Sequence, residues 1–252
     1  MNRPAFLFSD YPIATTVTPT DSYSGHDADD VLEPNETARH RFADSTGTKD
    51  YVFNFGEAIT LEFIALLGEN LDGISCEVRA STDNFVASDV QLLAATTLSA
   101  GVNAAWSELT TTGDYQYCKV RLSSIPSDLF VAHVSLGELL VWRFLSEDYD
   151  PDNLEATGEA KVSAGGYHSG GVAEKVVRRF PINAGQMTET EYAGIYKPFA
   201  DQVIANVLGC FFVPDIDEAE VFYGWLSDYR YSAPLKNCVR TVAPFDFVTR
   251  AI

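Results

Sequence analysis

The sequence predicts a mainly β protein in two parts: an N-terminal β-sandwich and a C-terminal β domain with one prominent helix. In residues 1–145, short segments of alternating apolar and polar residues recur between turn-forming residues, which is typical of sandwiches. In residues 146–252, similar segments flank one stretch whose apolar residues recur at helical spacing. An acidic segment that contains a proline, residues 147–153, separates the two parts. We therefore place the domain boundary near residue 145.

Five segments of the N-terminal part are predicted as strands. Residues 51–56 alternate and end at a turn glycine, whereas residues 59–67 form a nearly continuous apolar run that suits a strand buried on both faces. The other three predicted strands are 74–80, 115–122 and 131–142. Because these strands are short and separated by turn signals, they favour a sandwich or jelly roll.

One α-helix is predicted over about residues 188–208. Thr188 and Glu191 have the spacing of a capping box, in which the hydroxyl and the carboxylate satisfy free backbone amides at the helix start. Apolar residues then recur at intervals of three and four. Pro198 lies inside this pattern and predicts a kink or a loosened turn.

The rest of the C-terminal part is predicted as loops and strands. The glycine-rich segment 165–171 is interpreted as a flexible loop. Strands are expected at 175–182 and near 220–231 and 239–248.

The charge excludes two classes of partner. The chain has 252 residues, and its 36 acidic residues outnumber 17 basic ones, which gives a net charge of -19. Nucleic-acid affinity and attachment to anionic lipid both depend on clustered Lys and Arg, so neither is expected. The sequence also shows no apolar core of a signal peptide and no apolar run of membrane-spanning length, so no membrane insertion is expected.

The reactive residues give no catalytic motif, so we expect a protein that is not an enzyme, with no cofactor and no metal site. The four cysteines are widely spaced, which favours free buried thiols over a disulfide or a cluster. Asp27, Asp29 and Asp30 form the densest carboxylate cluster, beside His26, and a solvated loop is favoured there over a calcium site. Hydrolysis of a sugar by paired carboxylates stays open, although no pair stands out.

Six residues are candidates for an interface with other molecules. Aromatic residues alternate along one expected strand, which fits either sheet packing or an assembly surface. The adjacent pair of arginines fits either a salt bridge across a subunit boundary or an ordinary surface position. The six candidates are Tyr223, Trp225, Tyr229, Tyr231, Arg178 and Arg179.

The N-terminal strands resemble a known architecture. The aromatic strand 51–56 and the hydrophobic strand 59–71, which ends in Asn70-Leu71, resemble the discoidin-like, galactose-binding-like jelly roll, and the strands 74–81 and 118–122 fit the rest of its core. The resemblance covers about residues 20–143. It implies carbohydrate binding as an alternative function, with a host-surface glycan as the partner and Trp106 or Tyr115 as expected exposed aromatics.

The C-terminal part resembles tail-tip proteins of long-tailed bacteriophages. The residues that carry this resemblance are 178–182, 187–192 and 211–215. It implies a structural virion protein of a distal tail or baseplate, made in the host cytoplasm. Such a protein forms a ring with copies of itself that continues the tail tube, and it contacts tube, hub, tape-measure or fibre proteins. The acidic charge fits this function, because a conduit for DNA should repel phosphates.

Overall fold

The chain folds as a mainly β protein with two large antiparallel sheets, which confirms the predicted fold class. The computed structural model describes residues 4–7, 14–32, 39–100, 103–141, 154–162, 168–182, 186–204, 209–218, 220–227, 235–236, 239–241 and 245–249. In chain order the strands are β1 (Ala5–Leu7), β2 (Thr16–Pro19), β3 (Lys49–Glu69), β4 (Ser75–Ser81), β5 (Val90–Thr97), β6 (Ser99–Ala100), β7 (Ala104–Ser123), β8 (Phe130–Gly137), β9 (Leu139–Val141), β10 (Leu154–Val162), β11 (His168–Ile182), β12 (Gln186–Thr188), β13 (Cys210–Val213), β14 (Phe222–Ser227), β15 (Leu235–Lys236), β16 (Val239–Thr241) and β17 (Phe245–Thr249).

The first sheet folds over on itself around one core. Its order is β2-β3-β7-β4-β5, with β8 paired to β3 and β6 paired to β7. The first part of β3 pairs with β2 and the end of β7, and the last part pairs with β8 and the start of β7. Side chains from both parts of β3, including Tyr51, Phe53, Ile64 and Leu66, share a single buried cluster with β4, β7 and β8. The result is a sandwich whose two layers are joined by the long strands β3 and β7.

A glycine allows β3 to bend between the two layers. The pairing of β3 with β7 shifts between Asn54 and Ile59, and Gly56 lies in this interval with φ of 80°. That value is in the left-handed region, where a residue with a Cβ would be strained. The sequence pattern predicts a strand end at Gly56, but the strand continues through it as a bulge.

The apolar run 59–67 is buried on both faces, as predicted. Leu61, Ile64 and Leu66 point into the sandwich core. Phe63, Ala65 and Leu67 belong to a different buried cluster, which also contains residues of β1, β13 and β14. This part of β3 therefore lies between two cores, because the second sheet packs against the outer face of the sandwich.

The second sheet combines segments from both ends of the chain. Its order is β10-β11-β17-β14-β13-β1-β9. Although β1 and β9 belong to the first 145 residues, β1 pairs with β13 on one side and with β9 on the other. The predicted domain boundary near residue 145 falls on residues 142–153, outside the part of the chain that the structure describes.

The helical segment covers the other face of the second sheet. It runs over residues 189–204, and its buried residues Tyr196, Phe199 and Val203 pack with Phe6 and Phe212 of the sheet. The predicted capping box is present, since Thr188 accepts from the amide of Glu191 and the Glu191 carboxylate accepts from the amide of Thr188. The predicted last residues, 205–208, lie outside the described chain.

The type of helix differs from the prediction. Only Glu189–Glu191 and Lys197–Phe199 are α-helical, and π-helical turns occupy Tyr192–Tyr196 and Ala200–Ile204. Pro198 has no amide hydrogen to donate to the preceding turn, and a wider π turn next to it accommodates this loss. Among the helices that the structure describes, none has the length and apolar character to cross a membrane.

A two-stranded ribbon extends from the edge of the second sheet. All of β10 pairs with β11, but β11 pairs with β17 only over Arg179–Ile182. His168–Gly171 are part of this ribbon, so the prediction of a flexible loop is wrong for these four residues, and residues 163–167 lie outside the described chain. Glycines are typical of loops, but here they are held in a strand by pairing with β10.

Candidate ligand-binding site

Three connections meet at one end of the sandwich. They are the link between β2 and β3, the turn after β3, and the link between β7 and β8. Arg41 Nη2 donates to the carbonyl of Ser127 at 3.0 Å, and Asn70 Nδ2 donates to the carbonyl of Asp128 at 3.0 Å. These bonds tie the three connections together and create a surface that we call the Tyr23 patch, formed by Tyr23, His26, Arg39, Arg41, Glu69 and Phe130.

A buried polar network holds the link between β2 and β3 in place. The His40 ring lies between Tyr51 Oη, 2.6 Å from Nδ1, and Ser22 Oγ, 3.0 Å from Nε2. Burial lowers the pKa of His40 to about 4, so this histidine is neutral near pH 7. The backbone of His40 also pairs with that of Val131 in β8. The patch therefore rests on a fixed base.

An ion-pair cluster closes the same link. The buried ammonium of Lys49 donates to Asp21 at 2.5 Å and to Asp44 at 2.9 Å. The hydrogen bond to Asp21 raises the pKa of Lys49, and the hydrogen bond from Lys49 lowers the pKa of Asp44. Both carboxylates are therefore used in holding the link, and we do not assign them a role in ligand binding.

The patch is built around an arginine between aromatic rings. The guanidinium carbon of Arg41 lies 4.8 Å from the ring centroid of Tyr23 and 5.4 Å from that of Phe130. Tyr23 is 46% exposed, and it is the most exposed aromatic side chain among the large exposed apolar residues of the described chain. The two rings reduce the hydration of the guanidinium and strengthen its interaction with an incoming acceptor.

His26 adds a polar group with a defined tautomer. Its Nδ1 lies 2.7 Å from the carbonyl of Arg39, and a carbonyl can only accept, so Nδ1 carries the proton. The Nε2 atom then accepts hydrogen bonds in the neutral ring, and it has no partner within the residues described. The ring lies 6.0 Å from that of Tyr23 and 5.6 Å from that of Phe130. A ligand seated on Tyr23 therefore meets an imidazole acceptor.

An exposed ion pair borders the patch. Arg39 Nη1 and Glu69 Oε1 lie 2.5 Å apart, with side-chain exposures of 30% and 40%. Glu69 is the last residue of β3, and Arg39 precedes the backbone bridge at His40, so sheet pairing fixes both backbones. Together the patch offers an apolar ring, guanidinium donors, an imidazole acceptor and a carboxylate acceptor, the mixture that suits a ligand with apolar faces and many hydroxyls.

Sequence reasoning did not find most of this patch. Of its members, only His26 was singled out, as part of the acidic cluster with Asp27, Asp29 and Asp30. The structure places these residues around a short 3₁₀ turn, Ala28–Val31, and no cluster of metal-ligating side chains occurs in the described segments. The patch joins residues from 23 to 130 in the sequence, and no local spacing signals that convergence.

The predicted aromatic row is only partly described. Tyr223 is buried between the two sheets, where its ring contacts Phe211, so it packs inside this chain. Trp225 follows in β14 and is partly exposed. Tyr229 and Tyr231 lie outside the described residues. Phe222 and Leu226 pack on the helix side of the sheet, so the two faces alternate as the sequence indicates.

The two candidate arginines both make ion pairs within the chain. Arg178 lies 3.9 Å from Glu220 and stacks on Phe222 at 5.4 Å. Arg179 contacts Asp246 of β17 at 3.1 Å. Both are on β11, where the ribbon leaves the sheet. Their role at a subunit boundary stays a prediction.

The two aromatics expected to bind sugar are not exposed rings. Trp106 is 3% exposed and lies in the core between the sheets, so the prediction that it is exposed is wrong. Its indole N–H is buried and has no hydrogen-bond partner in the described segments. Tyr115 is partly buried against the sandwich core. The alternating pattern of β7 could not reveal that a second sheet covers Trp106.

The thiols are free where the structure describes them. Cys76, Cys118 and Cys210 are free and buried, as predicted, and Cys238 lies outside the described chain. Burial raises the pKa of Cys76 to about 12 and also raises the pKa of Cys118 and Cys210. These three thiols therefore stay protonated and act as small apolar core residues.

Comparisons with known proteins find similarity for half of the chain. No family model matches, and no curated protein matches. Chitosan-binding module 1 from a chitosanase/glucanase of Paenibacillus sp. IK-5 is 15% identical, with a TM-score of 0.42, over 51% of this chain and 98% of the module. A pectin-binding carbohydrate-binding module is 15% identical, with a TM-score of 0.40, over 50% of this chain and 91% of the module. A carbohydrate-binding module of a family 31 glycoside hydrolase from Clostridium perfringens is 12% identical, with a TM-score of 0.40, over 51% of this chain and 98% of the module.

Proposed function

We propose that this chain is a carbohydrate-binding protein that acts without catalysis and binds its ligand at the Tyr23 patch. The observation that carries the proposal is Tyr23 itself, an exposed ring held beside the guanidinium of Arg41 and the imidazole of His26 at one end of a β-sandwich.

The chemistry of a sugar ring matches this surface. The C–H face of a pyranose is apolar and packs on an aromatic ring, while its hydroxyls both donate and accept hydrogen bonds. Tyr23 supplies the ring, Arg41 supplies donors, and Nε2 of His26 supplies an acceptor. The patch offers one exposed ring and a few polar groups, so we expect a Kd between about 1 mM and 1 μM, which corresponds to roughly 4–8 kcal/mol.

A glycan array followed by calorimetric titration tests this function. The wild-type protein should bind at least one saccharide, and Tyr23→Ala should weaken binding by about tenfold or more, equivalent to ~1.4 kcal/mol. Tyr115→Ala is the matched control, because Tyr115 lies away from the patch. It pairs opposite Ile59 in the middle of β3, ten residues before Glu69, the patch residue at the end of that strand. If no saccharide binds at millimolar concentration, or if only Tyr115→Ala reduces binding, the proposal is wrong.

A second candidate function is a structural part of a phage tail tip or baseplate, and the β10–β11 ribbon favours it. Two-stranded ribbons are marginal in water by themselves. Among the described strands, β10 pairs only with β11, and residues 168–178 of β11 pair only with β10. Pairing with another copy or with a neighbouring tail protein would stabilise such a ribbon. The net charge of -19 suits a lumen that passes DNA.

Mass measurement in solution tests the second candidate. A ring-forming protein should give an oligomer, alone or on addition of tail-tube or hub proteins, and deletion of residues 158–171 should abolish that assembly. A monodisperse monomer that binds neither protein in a pull-down would contradict it. The two candidate functions are compatible, since the Tyr23 patch and the ribbon belong to different sheets.

A further inference from the structure

The Tyr23 patch also indicates which class of saccharide it binds, and this inference rests on the proposed function. The structure describes seven arginines, and six of them contact a carboxylate of the chain. The exception is Arg41. Its described contacts are the carbonyl of Ser127 and the rings of Tyr23 and Phe130.

An arginine without a carboxylate partner is unexpected in such an acidic chain. Acidic residues outnumber basic ones 36 to 17, so a guanidinium has many carboxylates available to it. Arg39, two residues away, is paired with Glu69. Within the described residues, however, Arg41 makes no ion pair, and only one of its five N–H groups donates to a protein acceptor. Arg41 is therefore held in position by the rings of Tyr23 and Phe130 and by the carbonyl of Ser127, and four of its N–H groups donate to no acceptor in the described residues.

We propose that Arg41 binds the carboxylate of an acidic sugar, so that the ligand is a saccharide that contains a uronate or a sialate. A guanidinium matches a carboxylate through two parallel N–H···O bonds, which is a stronger and more directional contact than a bond to a neutral hydroxyl. The sugar ring that carries the carboxylate lies on Tyr23, which contacts Arg41. Nε2 of His26 then faces the ring hydroxyls.

Matched pairs of ligands provide the test. Oligosaccharides that end in a uronate or a sialate are printed beside their methyl esters, which keep the ring and remove the charge. Wild-type protein should bind the acid at least tenfold more tightly than its ester. In Arg41→Gln this preference should disappear while the ester still binds, and in Arg41→Lys the preference should be intermediate, because the charge remains and the planar fork is lost.

The control variant is Arg79→Gln, which removes the same charge from an arginine of β4 that is paired with Glu77 and Asp89. It should keep the full preference for the acid. If wild-type protein binds acid and ester equally, the inference is overturned and the proposed function stands. If no saccharide of either kind binds, both are overturned. If Arg41→Gln does not fold, Arg41→Lys provides the comparison, and equal binding of acid and ester by wild-type protein overturns the inference without any variant.

Discussion

At the scale of single residues, tertiary contacts decide what each polar side chain does. His40 and His133 are both buried, and burial lowers the pKa of each to about 4. His133 Nδ1 lies 3.0 Å from the carbonyl of Val31, 102 residues away in the sequence. The four histidines show no helical pairing in the sequence, so their spacing predicts neither this burial nor the role of His26 in the patch. Those properties depend on partners that only the fold brings together.

Acid should destabilise the protein through these two histidines. The folded-state pKa is below the ordinary value of 6.5, so between about pH 6.5 and pH 4 the unfolded chain binds more protons than the folded one. The contribution of each histidine to the unfolding free energy is therefore complete above pH 6.5. It is lost as the pH drops toward 4, by on the order of 2–3 kcal/mol for each histidine. Urea unfolding measured across this range checks the loss.

The variant His40→Gln separates one contribution from the rest. Glutamine keeps hydrogen-bonding groups for Tyr51 and Ser22 but does not titrate, so this variant should show a smaller loss of unfolding free energy between pH 6.5 and 4 than wild-type protein. An identical pH profile in both proteins would show that His40 is not protonated on unfolding in this range.

At the scale of secondary structure elements, local pattern predicted much and failed where pairing is distant. Residues 59–67 were correctly predicted to form a strand that is buried on both faces, because a nearly continuous apolar run has no solvent-facing side. The capping box at Thr188 was also readable, because both of its partners lie within three residues. The ribbon was missed at His168–Gly171, since glycines indicate a loop and the pairing strand β10 carries no strong signal. Pro198 correctly predicted a loosened turn, but the two π turns that flank it were not predicted, because a proline indicates an irregular turn and not its hydrogen-bonding pattern.

The helical segment should depend on its capping box more than a regular helix would, because its π turns form wider and rarer hydrogen-bonded rings. Thr188→Ala removes the acceptor for the amide of Glu191, which lies 3.2 Å from Thr188 Oγ1. We expect a loss of about 1 kcal/mol in unfolding free energy. Urea titration measures this loss.

The control for this prediction is Thr188→Ser, which keeps the hydroxyl and should restore most of the stability. The double variant Thr188→Ala, Glu191→Ala should lose less than the sum of the two single variants, because both residues belong to one reciprocal motif. Equal stability of Thr188→Ala and wild-type protein would contradict the role of the cap.

At the scale of the whole molecule, the second sheet is assembled from segments that are far apart in the sequence. The strand β1 has three residues and pairs with residues 139–141 and 211–213, so the second sheet includes segments on both sides of the sandwich sequence. The core between the sheets contains Phe63, Trp106 and Phe211, each from a different strand. The alternation of apolar and polar residues could predict two β parts, but a three-residue strand is too short to signal its partners. The Tyr23 patch escaped prediction because its members are distant in the sequence: four of them lie between β2 and β3, Glu69 ends β3, and Phe130 begins β8.

The net charge of -19 gives the binding of an acidic saccharide a particular dependence on salt. Two opposing electrostatic effects act on such a ligand: the short-range ion pair with Arg41 attracts it, and the field of the whole protein repels it. Salt screens both, with a Debye length of about 10 Å at 0.1 M. In wild-type protein the effects oppose each other, so the Kd should change by less than about threefold between 50 and 300 mM NaCl.

In Arg41→Gln the ion pair is lost and the repulsion by the net charge dominates, so added salt should tighten the binding of the acid and leave the binding of its methyl ester unchanged. Tighter binding at higher salt in the variant distinguishes one positioned guanidinium from a diffuse basic surface. A diffuse basic surface would lose affinity for the acid with added salt in both proteins. Calorimetric titration at both salt concentrations measures the slopes. Loss of affinity with salt in the variant would show that groups other than Arg41 attract the carboxylate.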